Sequence, residues 1–475
     1  MEFESYPLSA EIYDELLFPD GRPRPQGRLL WRYLRSLAPD ALTRIQETVA
    51  NTFQSEGISF TVYSEEDIVE QIIPIDCIPR VLAASEWEQL RVGLTQRIKA
   101  LNKFLADIYS DWKIVSDGVI PGDMITGCPQ YRVEMRGFSA PGDTWVGVCG
   151  TDLVRTNEGF HVLEDNLRVP SGVSYMIANR AAVKNMMRRV FRAHGVEPVE
   201  HYGDELKIIL AELAGKQDPS LVVLTPGVYN SAFYEHAFLA NEMGAELVEG
   251  RDLVVRNGHA YMKTTTGLKK VDVIYRRVDD DFLDPLVFRP DSTLGVPGLI
   301  GAVRNGDVTI VNAPGTGVAD DKAIYTYVPD MIRYYLSEEP LLANVPTYLC
   351  RRPEDLEYVL DNAERLVIKM VGESGGYGML IGSQASRQEL DEYLADVRER
   401  PEQFVAQPEL QLSRAPCVVS GRLQPRHVDL RPFVLTGNSV RIVPGAFCRV
   451  ALREGSLVVN SSQGGGGKDV WVLKQ

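Results

Sequence analysis

The stretch Thr151-Asp152-Leu153-Val154-Arg155-Thr156-Asn157-Glu158-Gly159-Phe160-His161-Val162-Leu163-Glu164-Asp165-Asn166 decides how the rest of the chain reads. Two β-prone runs flank Asn157-Glu158-Gly159, and a glycine in the left-handed position of a three-residue loop turns them into a hairpin. Thr156 then pairs with Phe160, and counting outward sets Asp152 opposite Glu164. Two carboxylates facing each other across an antiparallel pair repel. Asn166 lies two residues beyond Glu164 and points to the same face. Two carboxylates and an amide oxygen on one face are hard donors suited to Mg²⁺. Taken alone, the same pair also fits a solvated hairpin face.

Outward from the hairpin the chain changes character. Residues 1 to about 125 read as helical, with a long amphipathic stretch over 85–110. After the hairpin a helix is expected near 173–194. Helix and strand then alternate: a helix near 204–214, the strand LVVLTPG, a helix near 231–243, then ELVEG and VDVIYRRV. That alternation predicts an α/β layer with a parallel sheet. Beyond Asp320 a helix precedes the strands LVIKMV, MLIG, HVDLRPFVL and SLVVN, with glycine-rich loops at 372–378 and 464–467. The expected organisation is 1–195, a helical region plus the hairpin; 196–315, an α/β substrate-side domain; and 316–475, a nucleotide-binding part.

The 475 residues carry a net charge of −15, with 44% hydrophobic and 24% charged residues. Such an acidic chain is a poor partner for nucleic acid, and no run of ~18 apolar residues predicts a membrane span. The acidic first residues lack a basic segment followed by an apolar one, so no secretory signal is expected. The six cysteines are scattered without CxxC spacing, which fits reduced thiols in a cytoplasmic protein.

Lys369 sits in the apolar strand 366–371, immediately before Gly372-Glu373-Ser374-Gly375-Gly376-Tyr377-Gly378. Backbone N–H groups of such a loop close over phosphates, and a nearby lysine adds a point charge. No GK[ST] follows, so this is not a Walker P-loop. Lys322, in GTGVADDKAIYTYV, reads as the start of a helix and on its own also fits an exposed lysine.

Taken together, these runs resemble the circularly permuted ATP-grasp type 2 family, related to glutathione synthetase and glutathionylspermidine synthetase. The resemblance is carried by IPRV, CPQYR, VLEDNLRVPSGVSYM, LTPGVYNSAFYEHAFLA, VDVIYRRVDDDFLDPLVFRPDS, APGTGVADDKA, ESGGYGMLIG, HVDLRPFV and VVNSSQGGGGKD. It implies an α+β fold with an α/β portion: a permuted ATP-grasp fold with a helical N-terminal region and an inserted pre-ATP-grasp-like domain. In unpermuted relatives the phosphate lysine and glycine loop precede the metal motif. Here the metal motif lies about 200 residues ahead of Lys369, the displacement a permutation produces.

By position the resemblance implies ATP and Mg as cofactors. Asp152, Glu164 and Asn166 match the metal ligands of the relatives. Lys322, Lys369, Glu373, Ser374, Gly375, Gly376, Gln407 and Asn460 match the nucleotide side. Relatives with spermidine activity carry an arginine where this chain has Gly150. Arg168 and Arg431, with Arg155, are therefore the candidates for stabilising the transferring phosphoryl group. The α/β layer presents Tyr229, Asn230, Arg276 and Arg277 at the carboxyl ends of its strands, where such sheets hold ligands.

The implied activity is carboxylate–amine ligation of amino acids or peptides through an acyl phosphate. Both glycine-rich loops are expected to act as lids, since that intermediate must be kept from water. A partner protein of a peptide-modifying system is also implied. A small-molecule kinase and a nucleotide-gated or non-catalytic subunit are the alternatives the residues leave open.

Overall fold

The computed structural model describes residues 6–38, 40–63, 68–372, 378–453, 455–456, 459 and 465–475. Its centre is a seven-stranded sheet whose strands run, edge to edge, Ala343–Asn344, Gly159–Asn166, Val148–Thr156, Arg431–Thr436, Val440–Val450, Gly466–Val472 and Ile75–Leu82. Segments 1–195 and 316–475 therefore share one sheet. The segment 196–315 holds its own four-stranded sheet, ordered Thr309–Val311, Val273–Arg276, Leu221–Leu224 and Glu246–Val248, with every pairing parallel. A third sheet orders Tyr348–Leu349, Phe404–Pro408, Leu366–Met370 and Met379–Ile381, and it carries Lys369.

Alternation along the central strands divides the core in two. Leu153, Val162, Val434 and Val470 pack with the long helix Ala84–Ile108, whose Leu94, Leu101, Phe104 and Leu105 have no exposure. On the opposite face Phe433, Phe447 and Trp471 pack with helix Val173–Met186 and helix Ala41–Ser55. The two faces thus bury separate apolar clusters, and the hairpin lies between them.

The N-terminal region departs from an all-helical reading. Strands Ser59–Tyr63, Ile68–Ile72 and Ile75–Leu82 separate its helices. Ile75–Leu82 is hard to see because Asp76 and Arg80 interrupt its apolar pattern, and both are buried against partners: Asp76 against Lys468, Arg80 against Glu15. Pro79 is tolerated because this is an edge strand. The expected helix near 173–194 is two, Val173–Met186 and Arg188–His194.

The second expected lid is also corrected. Gly466 and Gly467 lie inside the buried strand Gly466–Val472. A Cβ on Gly467 would meet Ile75 Cδ1 at 2.8 Å, so glycine here permits close packing. Glu373, Ser374, Gly375, Gly376 and Asn460 lie outside the described residues.

Leu101→Ala removes a side chain with no exposure from the larger core. It should cost about 2–5 kcal/mol in chemical denaturation. Leu286→Ala, at a side chain that is 75% exposed, should stay within about 0.5 kcal/mol of the parent.

Candidate functional site

The hairpin closes more tightly than a three-residue loop. Thr156 pairs with Gly159, leaving Asn157 and Glu158 as the turn, and the register shifts by one between Asp152 and Leu153. Leu163 is the extra residue of that bulge. The two departures cancel, and Asp152 faces Glu164 as the sequence reading has it, with Asn166 opposite Gly150.

Asp152 has no exposure and both its oxygens are held by arginines. Arg431 grips them with Nε and Nη2, the latter at 2.7 Å, and Arg449 Nη2 reaches Oδ2 at 2.6 Å. Burial works against the charge of Asp152, but the two guanidiniums outweigh it and hold the carboxyl well below its usual range. Arg449 also binds Asp429 through its backbone N–H at 2.9 Å and its Nε at 2.7 Å. Glu164 sits differently: burial and the neighbouring Asp152 push its carboxyl up, while Lys322, Arg431 and Lys369 oppose the shift.

A small cavity of about 90 Å³ opens beside Glu164 and Asn166. Gln130, Arg168, Asp320, Asp321, Lys322 and Gly372 also line it. Asn166 donates its amide N–H to Gly150 O at 3.1 Å, which leaves Oδ1 as an acceptor. Among the described residues no three His, Cys, Asp or Glu side chains form a metal-holding group. A hard cation here would therefore draw on Glu164, the Asn166 amide oxygen and phosphate oxygens. This donor chemistry fits Mg²⁺. Asp152 does not line the cavity, and its two oxygens are held by the arginines.

Lys369 and Gln407 lie on one face of the third sheet because Val367 pairs with Gln407 and Lys369 with Val405. Lys369 Nζ donates to Gln407 Oε1 at 2.7 Å, and Gln407 Nε2 donates to Thr347 Oγ1 at 3.0 Å. Burial pushes the Lys369 amine down to about 8; Glu164 and Asp152 counteract that, and Lys322 adds to it. Lys322 follows Asp321, which caps the turn Ile324–Tyr327 by accepting from Ala323 N and Ile324 N.

Arg168 reaches across from the hairpin's exit to Asp320, Nε to Oδ2 at 2.7 Å, and to Asp279 at 3.0 Å. Burial raises the Asp320 carboxyl to about 6, with Arg168 opposing. Arg155 is not at the site: it pairs with Glu15 and Glu86. The four substrate-side residues do not assemble. Tyr229 is 78% exposed. Asn230 Oδ1 accepts from Ala232 N in the turn ahead of helix Phe233–Met243. Arg276 has no exposure, and its donors go to Asn312 O, Val278 O, Ala313 O and Asp280. Arg277 is buried against Pro170 O and Glu235.

Sequence reasoning missed Arg449, Asp320, Gln130 and Thr347. Gln130 and Asp320 lie in the runs CPQYR and APGTGVADDKA without standing out within them, and Arg449 joins the site only through the pairing of Arg431 with Phe447, two positions away.

Comparison with known proteins gives the family. The description of the circularly permuted ATP-grasp type 2 family matches residues 79–451. An uncharacterized protein of Synechocystis sp. is 52% identical over 478 residues, covering 100% of this chain and 99% of its own. A Frankia casuarinae protein named "Putative glutamate--cysteine ligase 2-2" is 40% identical across 98% of this chain, which spans 54% of that relative's length. The solved structure of a glutathione synthetase like-effector from Globodera pallida, in apo form, shares the fold with a TM-score of 0.60. The two are 12% identical, over 92% of this chain and 98% of the effector. The chain belongs to the circularly permuted ATP-grasp type 2 family, and its fold is that of the family.

Proposed function

We propose that the protein is an ATP- and Mg²⁺-dependent carboxylate–amine ligase acting on amino acids or peptides. The observation that carries this reading is the facing pair Asp152–Glu164, with Lys369 and Lys322 near enough to shift the Glu164 charge. A cavity lined by Glu164, Asn166 and Lys322, with Asp152 facing Glu164 and Lys369 close enough to act on its charge, suits a nucleotide's phosphates and the cation that accompanies them. The ligase names among the relatives point the same way. The cation, when bound, supplies charge neutralisation at the phosphate oxygens.

The chain's own residues then have distinct tasks. Lys369 and Lys322 hold phosphate oxygens as point charges. Glu164 and Asn166 present oxygens to the cation. Arg431 and Arg449 fix Asp152, and Arg431, whose charge also acts on Glu164, is the guanidinium we assign to the transferring phosphoryl group. Gln407 orients the Lys369 amine. A substrate carboxylate attacks the γ-phosphorus and releases ADP, and an amine displaces phosphate from the acyl phosphate. No side chain forms a covalent intermediate.

The test is a screen of amino acids and short peptides for ADP release, with mass spectrometry of the products. ADP is expected only when an acid and an amine are both present, with a product at the mass of the amide. ADP release with the acid alone, and a stable phosphorylated acid as product, would make the protein a kinase.

Lys369→Met keeps the aliphatic stem and removes the charge. Losing a charge-assisted bond costs about 1.5–3 kcal/mol, so a non-hydrolysable ATP analogue should bind roughly ten- to a hundredfold more weakly by calorimetry. The pH dependence has a definite sign. The free enzyme's Lys369 loses its proton near pH 8, and only the protonated amine attracts phosphate. Affinity should therefore be full below pH 8 and fall as the pH rises through it. In Lys369→Met that fall should vanish; a wild-type profile in the variant would assign the titration elsewhere.

Glu164→Gln should abolish Mg²⁺-dependent turnover and leave the melting temperature equal or higher, because the repulsion with Asp152 is relieved. A lower melting temperature with full turnover would make Glu164 a structural acid.

A further inference from the structure

Between Glu164 and Asn166 lies Asp165, which also borders the cavity and whose side chain turns to the opposite face of the strand from its two neighbours. There it meets Arg97 of helix Ala84–Ile108. Arg97 Nε lies 3.0 and 2.8 Å from the two Asp165 oxygens and Nη2 lies 2.6 Å from Oδ2. The side chains are 2% and 1% exposed. Thr151 Oγ1, directly across the pair from Asp165, donates to Oδ1 at 3.0 Å.

The contact continues beyond the strand. Arg97 Nη1 donates to Asn344 Oδ1 at 2.8 Å, and Asn344 Nδ2 donates to Tyr325 O at 3.0 Å. Asn344 belongs to the short strand Ala343–Asn344 that pairs with the hairpin's outer strand. The Tyr325 hydroxyl donates to Val162 O. One guanidinium therefore fastens the hairpin to the long helix, to its neighbouring strand and to the turn that follows Lys322.

We propose that Arg97 and Asp165 are positioning residues for the cation site, holding Glu164 and Asn166 at a fixed height and rotation from behind the sheet. A strand residue cannot rotate without turning its neighbours, because successive side chains are locked to opposite faces. The bulge at Leu163 makes this restraint necessary: it interrupts the ladder one residue before Glu164, where backbone pairing alone leaves the strand freer to twist. A forked Arg–carboxylate contact supplies orientation as well as attraction, which a single ammonium does not. The proposal rests on the reading of Glu164 and Asn166 as cation donors.

The test uses the full chain and a non-hydrolysable ATP analogue, titrated calorimetrically in EDTA and in Mg²⁺. The readout is the factor by which Mg²⁺ tightens binding, with thermal melting as a control for folding. In Arg97→Lys that factor should fall about tenfold, while binding in EDTA stays within about twofold of the parent, since Lys322 and Lys369 are untouched. Asp165→Asn should move it in the same direction. Thr151→Val removes one hydrogen bond and no charge; it should lower the factor about two- to threefold, and it answers the question if the buried charge changes prevent folding. An undiminished Mg²⁺ effect in the folded variants overturns the positioning role alone. No Mg²⁺ effect in the parent chain overturns the cation reading, and the positioning role with it.

Discussion

A buried carboxylate gripped by two arginines organises this molecule. Asp152 comes from the hairpin, Arg431 from one neighbouring strand and Arg449 from the next, so three strands meet at one charge. An ion pair removed from water regains its desolvation cost only when its geometry is good and the remaining donors are satisfied. Here they largely are: Arg431 Nη1 also donates to Ser171 O, and Arg449 returns to Asp429. Removing any one member leaves its neighbours' charges in a dry place with less compensation. The arrangement also places Ser171 and the turn into helix Val173–Met186 beside the hairpin. Glu235, from the α/β layer, caps that helix by accepting from Gly172 N and Ser174 N.

The charges around Glu164 oppose one another before any ligand arrives. Glu164 is pushed toward its neutral form by burial and by Asp152, and Lys369 toward its own by burial. Each also supports the other's charge. A triphosphate entering with its cation would stabilise Lys369 as an ammonium and Glu164 as a carboxylate together. The chain's overall charge of −15 is thus no obstacle to an anionic ligand, because the relevant field is local.

Much of this was legible in the sequence, for identifiable reasons. The Asp152–Glu164 opposition follows from counting along a hairpin, and it survived because a shorter turn and a bulge offset each other. Lys369 with Gln407 was legible through the order of the motifs, and the strand register explains their contact. The parallel sheet announced itself by alternation. What stayed hidden depends on distance along the chain. Arg449 looks like any strand arginine until Val440–Val450 is laid against Arg431–Thr436. Strand Ile75–Leu82 was hidden because its buried charges are neutralised by residues far along the chain, Arg80 by Glu15 and Asp76 by Lys468. Arg276 and Arg277 look like ligand-binding residues from their place at a strand's end, yet backbone carbonyls and acids of the fold occupy them.

The central sheet has a consequence for how the protein is made. Its second and third strands emerge from the ribosome early, but Arg431 and Arg449 follow Asp152 by 279 and 297 residues. At ~5–20 residues per second, that interval is roughly 15–60 s. Through it Asp152 has neither guanidinium, and the hairpin's inner strand presents an open edge to the cell. The parallel α/β layer, whose strands all lie between residues 221 and 311, is complete well before then. The nascent chain therefore carries a finished middle and an unfinished centre, and its period of greatest exposure to misassociation or chaperone capture is set by the position of its last strands.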